Sequence, residues 1–137
     1  MGSKHEEEMR KLLREKPQGT KAQDSAQQTT NSYEKVDESE LDARGRNTVG
    51  YVVREEGTDA IDAKIVGCYV NDNGSRSDSF DDGGGSASTS GLSDSAAHLQ
   101  PATPLQFDLY WIEVQSNATD TPGDATVVGS AKSVPAT

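Results

Sequence analysis

The residues that most often perform chemistry in proteins are scarce in this sequence. The chain has 137 residues with two histidines, His5 and His98, and one cysteine, Cys68. Neither histidine has a second histidine or a cysteine at the spacing of a zinc site, and no Ser/His/Asp triad is indicated. A lone cysteine excludes an intrachain disulfide and a zinc site built on thiolates. The sequence therefore predicts a protein that is not an enzyme, with no catalytic residue, no metal and no cofactor.

Carboxylates are abundant, but their arrangement does not define a site. Residues 71–75 and 78–82 resemble calcium loops superficially. The first lacks the bidentate Glu at the twelfth position, where Asp82 stands, and no helix is predicted on either side. Asp, Asn and Gly in such clusters are typical turn formers. We interpret both segments as turns, with a weak calcium site as the alternative, and the glycines at 83–85 lack the Lys-Ser/Thr of a phosphate loop.

The charge distribution excludes two classes of partner. The formal net charge is -10, and residues 60–137 carry ten Asp/Glu against three Lys/Arg. An acidic body repels phosphate backbones and anionic lipids, so we expect no nucleic-acid and no membrane partner. No apolar segment is long enough for a signal peptide or a membrane span, which predicts a soluble protein made in the cytoplasm. Residues 1–22 differ, with six Lys/Arg against four Glu.

The densest apolar run, residues 105–114, predicts the strand on which the others assemble. Side chains alternate along it, and aromatic and branched residues suit a pleated surface. Two more strands are predicted at 48–55 and 61–70, joined as an antiparallel hairpin, and a short fourth at 125–129. The strand at 61–70 becomes apolar on both faces in its second half. We call the predicted strand at 105–114 the organising strand. Its predicted key residues are Leu105, Phe107, Leu109, Tyr110 and Trp111.

The fold class that follows is mainly β, a small antiparallel β-sandwich or a partly open barrel with long irregular loops. Residues 48–137 form the predicted β-domain. Within it, residues 71–104 form a Gly/Ser/Asp-rich insertion that is either disordered or ordered by something outside the domain. A short helix is predicted at 93–99, before Pro101.

Residues 1–47 are predicted to form an N-terminal arm. Ser3 and Glu6 have the spacing of a capping box, and Pro17 ends the helix that they begin. Its apolar stripe is short, which makes the helix marginal alone, so that it either frays or lies on a partner. Residues 18–32 are interpreted as an extended linker. A second, weaker capping pattern at Asp37 and Glu40 predicts one or two helical turns that end at Gly45. The predicted docking residues are Met9, Leu12 and Leu13.

These features favour a structural assembly protein that binds neighbouring subunits through its arms. Its partners would be copies of itself, a major shell subunit, or both, and the acidic body suits the outside of a viral capsid or a similar large assembly as a decoration or cement component. A virion would then be its location. The alternative is a small acidic ligand- or carbohydrate-binding β-module that uses exposed Tyr110 or Trp111. It predicts a stable monomer with a pocket.

Overall fold

Two antiparallel sheets packed face to face form a β-sandwich, which confirms the predicted fold class. The computed structural model describes residues 19–23, 27–84, 86–117 and 122–133, with the backbone alone at 19–23. In this part of the chain, a 3-10 helix, Asp37–Ser39, lies between the third and fourth strands. The strands are β1 (Gly19–Gln23), β2 (Gln27–Gln28), β3 (Glu34–Lys35), β4 (Leu41–Asp42), β5 (Thr48–Glu55), β6 (Ile61–Cys68), β7 (Phe80–Asp81), β8 (Ser88–Leu92), β9 (Ala96–Leu99), β10 (Leu109–Ser116) and β11 (Asp124–Lys132).

The four long strands form the centre of the two sheets. Sheet A has the order β1-β11-β5-β9, with β2 also on β11, and sheet B has the order β3-β10-β6-β7, with β4 on β10 and β8 on β6. The predicted hairpin of β5 and β6 is therefore wrong, because the two strands lie in different sheets. The two strands do not pair along their edges. The apolar face of each strand packs against the opposite sheet across the core, and this packing buries both apolar faces.

The main core lies between the sheets and follows the alternation of the sequence. Along β5, the side chains of Val49, Tyr51 and Val53 are buried and alternate with more exposed residues. The second half of β6 is buried on both faces, as its sequence predicts. Outward-facing residues of β6 and of its neighbour β10 form a second apolar group, here called the outer cluster: Val66, Cys68, Leu109 and Trp111.

The organising strand begins later than its sequence suggests. β10 starts at Leu109 and pairs with β6 over its whole length, so Leu105 and Phe107 precede the strand. The Tyr110 hydroxyl accepts hydrogen bonds from the backbone N–H groups of Gln106 and Phe107. These bonds hold the backbone against a side chain of the same segment, so it does not extend along β6 there.

The interpretation of residues 18–32 as a linker is wrong in its described part. β1 pairs with β11 along five residues, and β2 pairs with the first residues of β11. Polar side chains do not prevent this pairing, since the stabilising bonds of an edge strand come from the backbone. The helical turns predicted from Asp37 onward are one 3-10 helix followed by β4. Its buried Ser39 hydroxyl donates to Val36 and accepts from the N–H of Ile112, which ties the turn to β10.

Three strands form inside the predicted insertion, which the domain itself orders. β7 and β8 pair with β6, and β9 pairs with β5. Ala87, Leu92 and Leu99 are buried in the main core and anchor these segments. The predicted helix at 93–99 is wrong because Ala96–Leu99 extends the edge of sheet A, where Leu99 pairs with Tyr51. The part of the chain that the structure describes contains no helix with the length and apolar character needed to cross a lipid bilayer.

Candidate functional site

An exposed group of aromatic rings lies at the end of sheet B where β6 finishes. We call Tyr69, Phe80 and Phe107 the aromatic cluster. Their ring centroids lie 5.2 to 6.4 Å apart, and the rings of Phe80 and Phe107 are stacked within 7° of parallel. Tyr69 remains 42% exposed and Phe80 remains 48% exposed. Exposed aromatic side chains that contact one another form a contiguous apolar patch, and such patches mark interaction sites, so the cluster is the first candidate for a binding site.

A glycine makes room for the base of the cluster. A Cβ added to Gly67 would lie 2.4 Å from Cδ2 of Phe107, so the ring rests directly on the strand backbone. The ring of Tyr110 meets Phe107 edge-on at 5.8 Å, and its hydroxyl fixes the Phe107 backbone. Phe107 is thus positioned by the core beneath it, which makes it a rigid platform for the two more exposed rings.

The two exposed rings are held by strand pairing. Phe80 lies in β7, opposite Gly67 of β6. Tyr69 follows β6, where its N–H donates to the Ser77 hydroxyl and its carbonyl accepts from the Ser77 N–H. The turn between these segments is closed by an Asn71 N–H bond to the Ser75 carbonyl and a Gly74 N–H bond to the Asn71 carbonyl. Residues 71–75, which resemble a calcium loop, therefore form a hairpin turn.

Acidic residues surround the cluster in the sequence. Residues 69–82 contain four aspartates and one arginine. The arginine, Arg76, donates hydrogen bonds to both carboxylate oxygens of Glu40. Lys64 lies 2.9 Å from the Asp81 carboxylate. An exposed aromatic surface with an excess of carboxylates favours an occupant that is apolar at its centre and basic at its edges.

The sequence analysis names some of this cluster and misses the rest. Of the five organising-strand residues, Phe107 belongs to the aromatic cluster, and Leu105 is half-buried against the main core. Tyr69 and Phe80 are the exposed members, and neither is among the predicted docking or organising-strand residues. The available signal was Phe80, a lone aromatic residue among Ser, Asp and Gly. The predicted docking residues Met9, Leu12 and Leu13 lie outside the described residues, as does His5.

Tyr110 and Trp111 are not available as a ligand platform. Tyr110 is fully buried, and burial raises the pKa of its hydroxyl despite the two N–H groups that donate to it. Trp111 is 8% exposed on the outer face of sheet B. Its indole N–H donates to Glu113 at 3.0 Å, and the Lys35 ammonium lies 4.9 Å from its ring. The exposure assumed for these residues in the ligand-binding alternative is wrong.

Buried carboxylates in this fold are structural acceptors. Glu55 is fully buried, and its carboxylate accepts from the N–H groups of Gly57, Asp94 and Asp124 and from the Thr58 hydroxyl. Burial opposes ionisation, but these bonds outweigh it and lower the pKa of Glu55 to about 2. A carboxylate that stays ionised and saturated with donors has no proton to give and few lone pairs for a substrate. Its role is to join three loops at one end of the sandwich.

The carboxylate of Asp62, on sheet B, is also an acceptor of structural hydrogen bonds. Burial raises its pKa, but donors from Gly91, Asn117 and Gln115 hold the pKa of this carboxyl below its ordinary value. Cys68 is buried, and burial raises the pKa of its thiol, which disfavours the reactive thiolate. Among the described residues, no group of three or more His, Cys, Asp and Glu side chains is placed to hold a metal ion.

A concave surface lies on the outer face of sheet A and is the second candidate for a binding site. It is a groove of about 400 Å3 that crosses β9, β5 and β11. His98, Val52 and Val128 form one row across the three strands, since Val52 pairs with both others. Gly50 leaves open space where a side chain would stand. The polar side chains at its margin are His98, Gln100, Ser130 and Lys132.

Comparison with models of known protein families finds no match for this chain. Comparison with curated proteins finds none either.

Proposed function

We propose that this protein is a non-enzymatic assembly component that docks on a neighbouring protein subunit through the aromatic cluster. The observation that carries the proposal is the pair of half-exposed rings, Tyr69 and Phe80, supported by the ordered ring of Phe107. Rigid aromatic anchors lose little conformational entropy on binding, and residues of this kind dominate the energetics of protein interfaces.

Charge supports a protein partner with a basic rim. The cluster lies in a segment with four aspartates against one arginine, on a chain whose net charge is -10. Complementary charge at the rim of an interface accelerates association and fixes orientation, while the apolar centre supplies most of the affinity. Burial of the remaining exposed area of the two rings would contribute about 1 to 2 kcal/mol for each ring.

The finer form of the proposal is a decoration or cement component on the outside of a capsid or similar large shell. The acidic surface favours an exterior position because it keeps a large particle soluble and is repelled by enclosed nucleic acid. Carboxylates that would suit acid–base chemistry, such as Glu55, are instead engaged in holding loops together, which supports a structural role.

Site-specific photo-cross-linking tests the proposal in the cells that make the protein. The photoreactive amino acid benzoylphenylalanine would replace Phe80 in one variant and Val128, in the groove of sheet A, in the control. We expect position 80 to form one discrete adduct with a protein of a large, sedimentable assembly, joined at an apolar surface flanked by Lys or Arg. No adduct at position 80, or equal adducts at both positions, would overturn the proposal.

The groove of sheet A favours a second candidate, the ligand-binding β-module. Its volume of about 400 Å3 falls in the range of small-molecule sites, and it combines the apolar floor of Val52 and Val128 with polar side chains. A titration of the protein with soluble oligosaccharides, followed by amide chemical shifts, tests this candidate. Saturable shifts confined to His98, Val52 and Val128 would favour it, and the absence of shifts would exclude this class of ligand.

A further inference from the structure

The outer face of sheet A, which holds the groove, is positively charged on a strongly acidic chain. Among the described residues of β5, β9 and β11 whose side chains point outward, Arg54, His98 and Lys132 can carry positive charge, and Asp124 is the one carboxylate. Asp124 lies at the opposite end of β11 from Lys132. The chain as a whole has a net charge of -10. A local excess of positive charge on such a chain favours an anion at this surface.

The fold does not use the positive charges of this face. On the sheet B side of the molecule, Lys35, Lys64 and Arg76 each bind a carboxylate. In the described part of the chain, no carboxylate lies within ion-pair distance of Arg54 or Lys132. The charges of these two side chains are therefore available to a ligand.

The groove separates its cation from its apolar floor along the direction of the strands. Lys132, Ser130 and Val128 follow one another on the outward side of β11. Gly50 lies beside Ser130 in β5, and Val52 lies beside Val128. No atom lies within 4 Å of a Cβ added to Gly50, so the middle of the groove is open. The four residues of strand between the cation and the apolar floor span about 14 Å.

We propose that the groove binds an organic anion with an apolar body, such as an aliphatic carboxylate. The carboxylate would meet the Lys132 ammonium and the Ser130 hydroxyl. The apolar body would lie over Gly50 and end on Val52 and Val128, and the methylene groups of Lys132 add apolar surface beside it. The groove volume of about 400 Å3 suits a small ligand of this kind. This inference rests on the second candidate of the proposed function, the ligand-binding β-module, and deepens it by naming the class of ligand.

Three probes with the same apolar body and different head groups test the inference: octanoate, octanol and octylammonium. The full-length protein would be titrated with each probe below its micelle concentration, and backbone amide shifts would be followed. With octanoate we expect saturable shifts at Gly50, Val52, Val128 and Ser130. Octanol should bind there about tenfold more weakly, because it lacks the charge-assisted bond to Lys132. Octylammonium should not saturate these shifts, although the net charge of the whole chain attracts a cation.

Gly50→Val tests the location of the site without removing a charge. Valine suits a strand, and the space beside Gly50 is open, so the fold should be retained while the groove is filled. Gly83→Val is the matched control, since the space there is also open and the position lies outside the groove. We expect Gly50→Val to abolish saturable octanoate binding and Gly83→Val to leave it unchanged. Equal octanoate affinities in the two variants would overturn the inference.

Lys132→Gln tests the charge, with Lys64→Gln on sheet B as a control that removes the same charge elsewhere. We expect Lys132→Gln to weaken octanoate binding by about fivefold and to leave octanol binding unchanged, since the lost ion pair is solvent-exposed. Equal weakening in both variants would overturn the inference.

The outcomes separate this inference from the proposal on which it rests. If octanol binds in the groove as tightly as octanoate, or octylammonium binds there more tightly, the inference falls and the ligand-binding candidate stands. If no probe binds and the oligosaccharides do not bind either, both fall. The proposal for the aromatic cluster is decided separately, by the cross-linking at position 80.

Discussion

Sheet B carries two apolar groups besides the main core, and they differ in how far they are exposed to solvent. The outer cluster of Val66, Cys68, Leu109 and Trp111 is buried, with Val70 packed against it. Lys35 lies over the Trp111 ring and also binds Glu40, which in turn holds Arg76. Among the residues that the structure describes, none covers the aromatic cluster in this way, and Tyr69 and Phe80 remain exposed.

The comparison indicates which surface belongs to the fold and which serves another purpose. The hairpin turn at 71–75 pairs Arg76 with Val70, which packs against the outer cluster, and brings Arg76 to Glu40. The same segment continues to Phe80 without covering it. Apolar area that this small domain can use for its own stability is enclosed, and the area left open is therefore the part that we assign to a partner.

The largest effect is expected from the enclosed group. Trp111→Ala should lower the free energy of unfolding by about 3 to 5 kcal/mol, because it removes a buried aromatic side chain and its indole hydrogen bond to Glu113. Urea denaturation followed by circular dichroism measures this. A loss below about 1 kcal/mol would show that the outer cluster is not part of the stabilising core.

The second-largest effect on the free energy of unfolding is expected from the buried carboxylate of Glu55. Glu55→Gln should cost about 2 to 4 kcal/mol, since an uncharged amide cannot accept from all the donors that surround Glu55. In the wild type, the folded pKa of about 2 lies below the ordinary value of 4.5, so this stabilisation is present above about pH 4.5 and lost as the pH falls toward 2. Urea denaturation at pH 7, 4 and 3 measures it, and the same pH dependence in the Gln variant would contradict the assignment.

A smaller effect is expected from the ionic cover. Arg76→Ala should cost about 0.5 to 1 kcal/mol, because the pair with Glu40 is partly exposed to solvent. The hydrogen bond from Arg76 lowers the pKa of Glu40, with a further contribution from Lys35. The cost should therefore shrink in high salt and at a pH low enough to protonate Glu40. A cost that is unchanged in 1 M NaCl would show that Arg76 acts through packing instead.

A limited effect on stability is expected at each exposed ring. Tyr69→Ser and Phe80→Ser should each lower the free energy of unfolding by about 1 to 2 kcal/mol, since nearly half of each ring is already in water. Thermal unfolding measures this, with Phe107→Ser as a comparison that should be clearly more destabilising because Phe107 fills the space above Gly67. Equal losses in all three variants would mean that the cluster is a structural cap.

Alternation along the long strands was enough to predict a small sandwich or a partly open barrel, and the two-sided burial of β6. Val66 and Cys68 are apolar at positions where a strand with one exposed face would have polar residues, and this indicates burial of both faces. The short strands were not predictable, since β1, β2 and β3 are polar and depend on backbone pairing with β10 and β11. The pairing partner of β5 was missed because alternation reports which face is buried and not which strand lies alongside.

The candidate site was predictable only in part. Phe107 lies within the dense apolar run of the sequence. Its position before β10 instead of within it goes with the hydrogen bond from its N–H to the Tyr110 hydroxyl, which the alternation of side chains does not indicate. Phe80 stands alone among polar residues, and its stacking on Phe107 depends on Gly67 being opposite in the sheet. No local pattern encodes that meeting of three distant positions.

The most direct test of the central claim is density-gradient sedimentation of extracts from the cells that make this protein. Wild type, Y69S/F80S and the groove variant V52S/V128S would be compared, after thermal unfolding has shown that all three are folded. The account predicts that wild type and the groove variant sediment with a large assembly while Y69S/F80S stays in the slow fractions. Y69S/F80S sedimenting with the assembly to the same extent as wild type would contradict it.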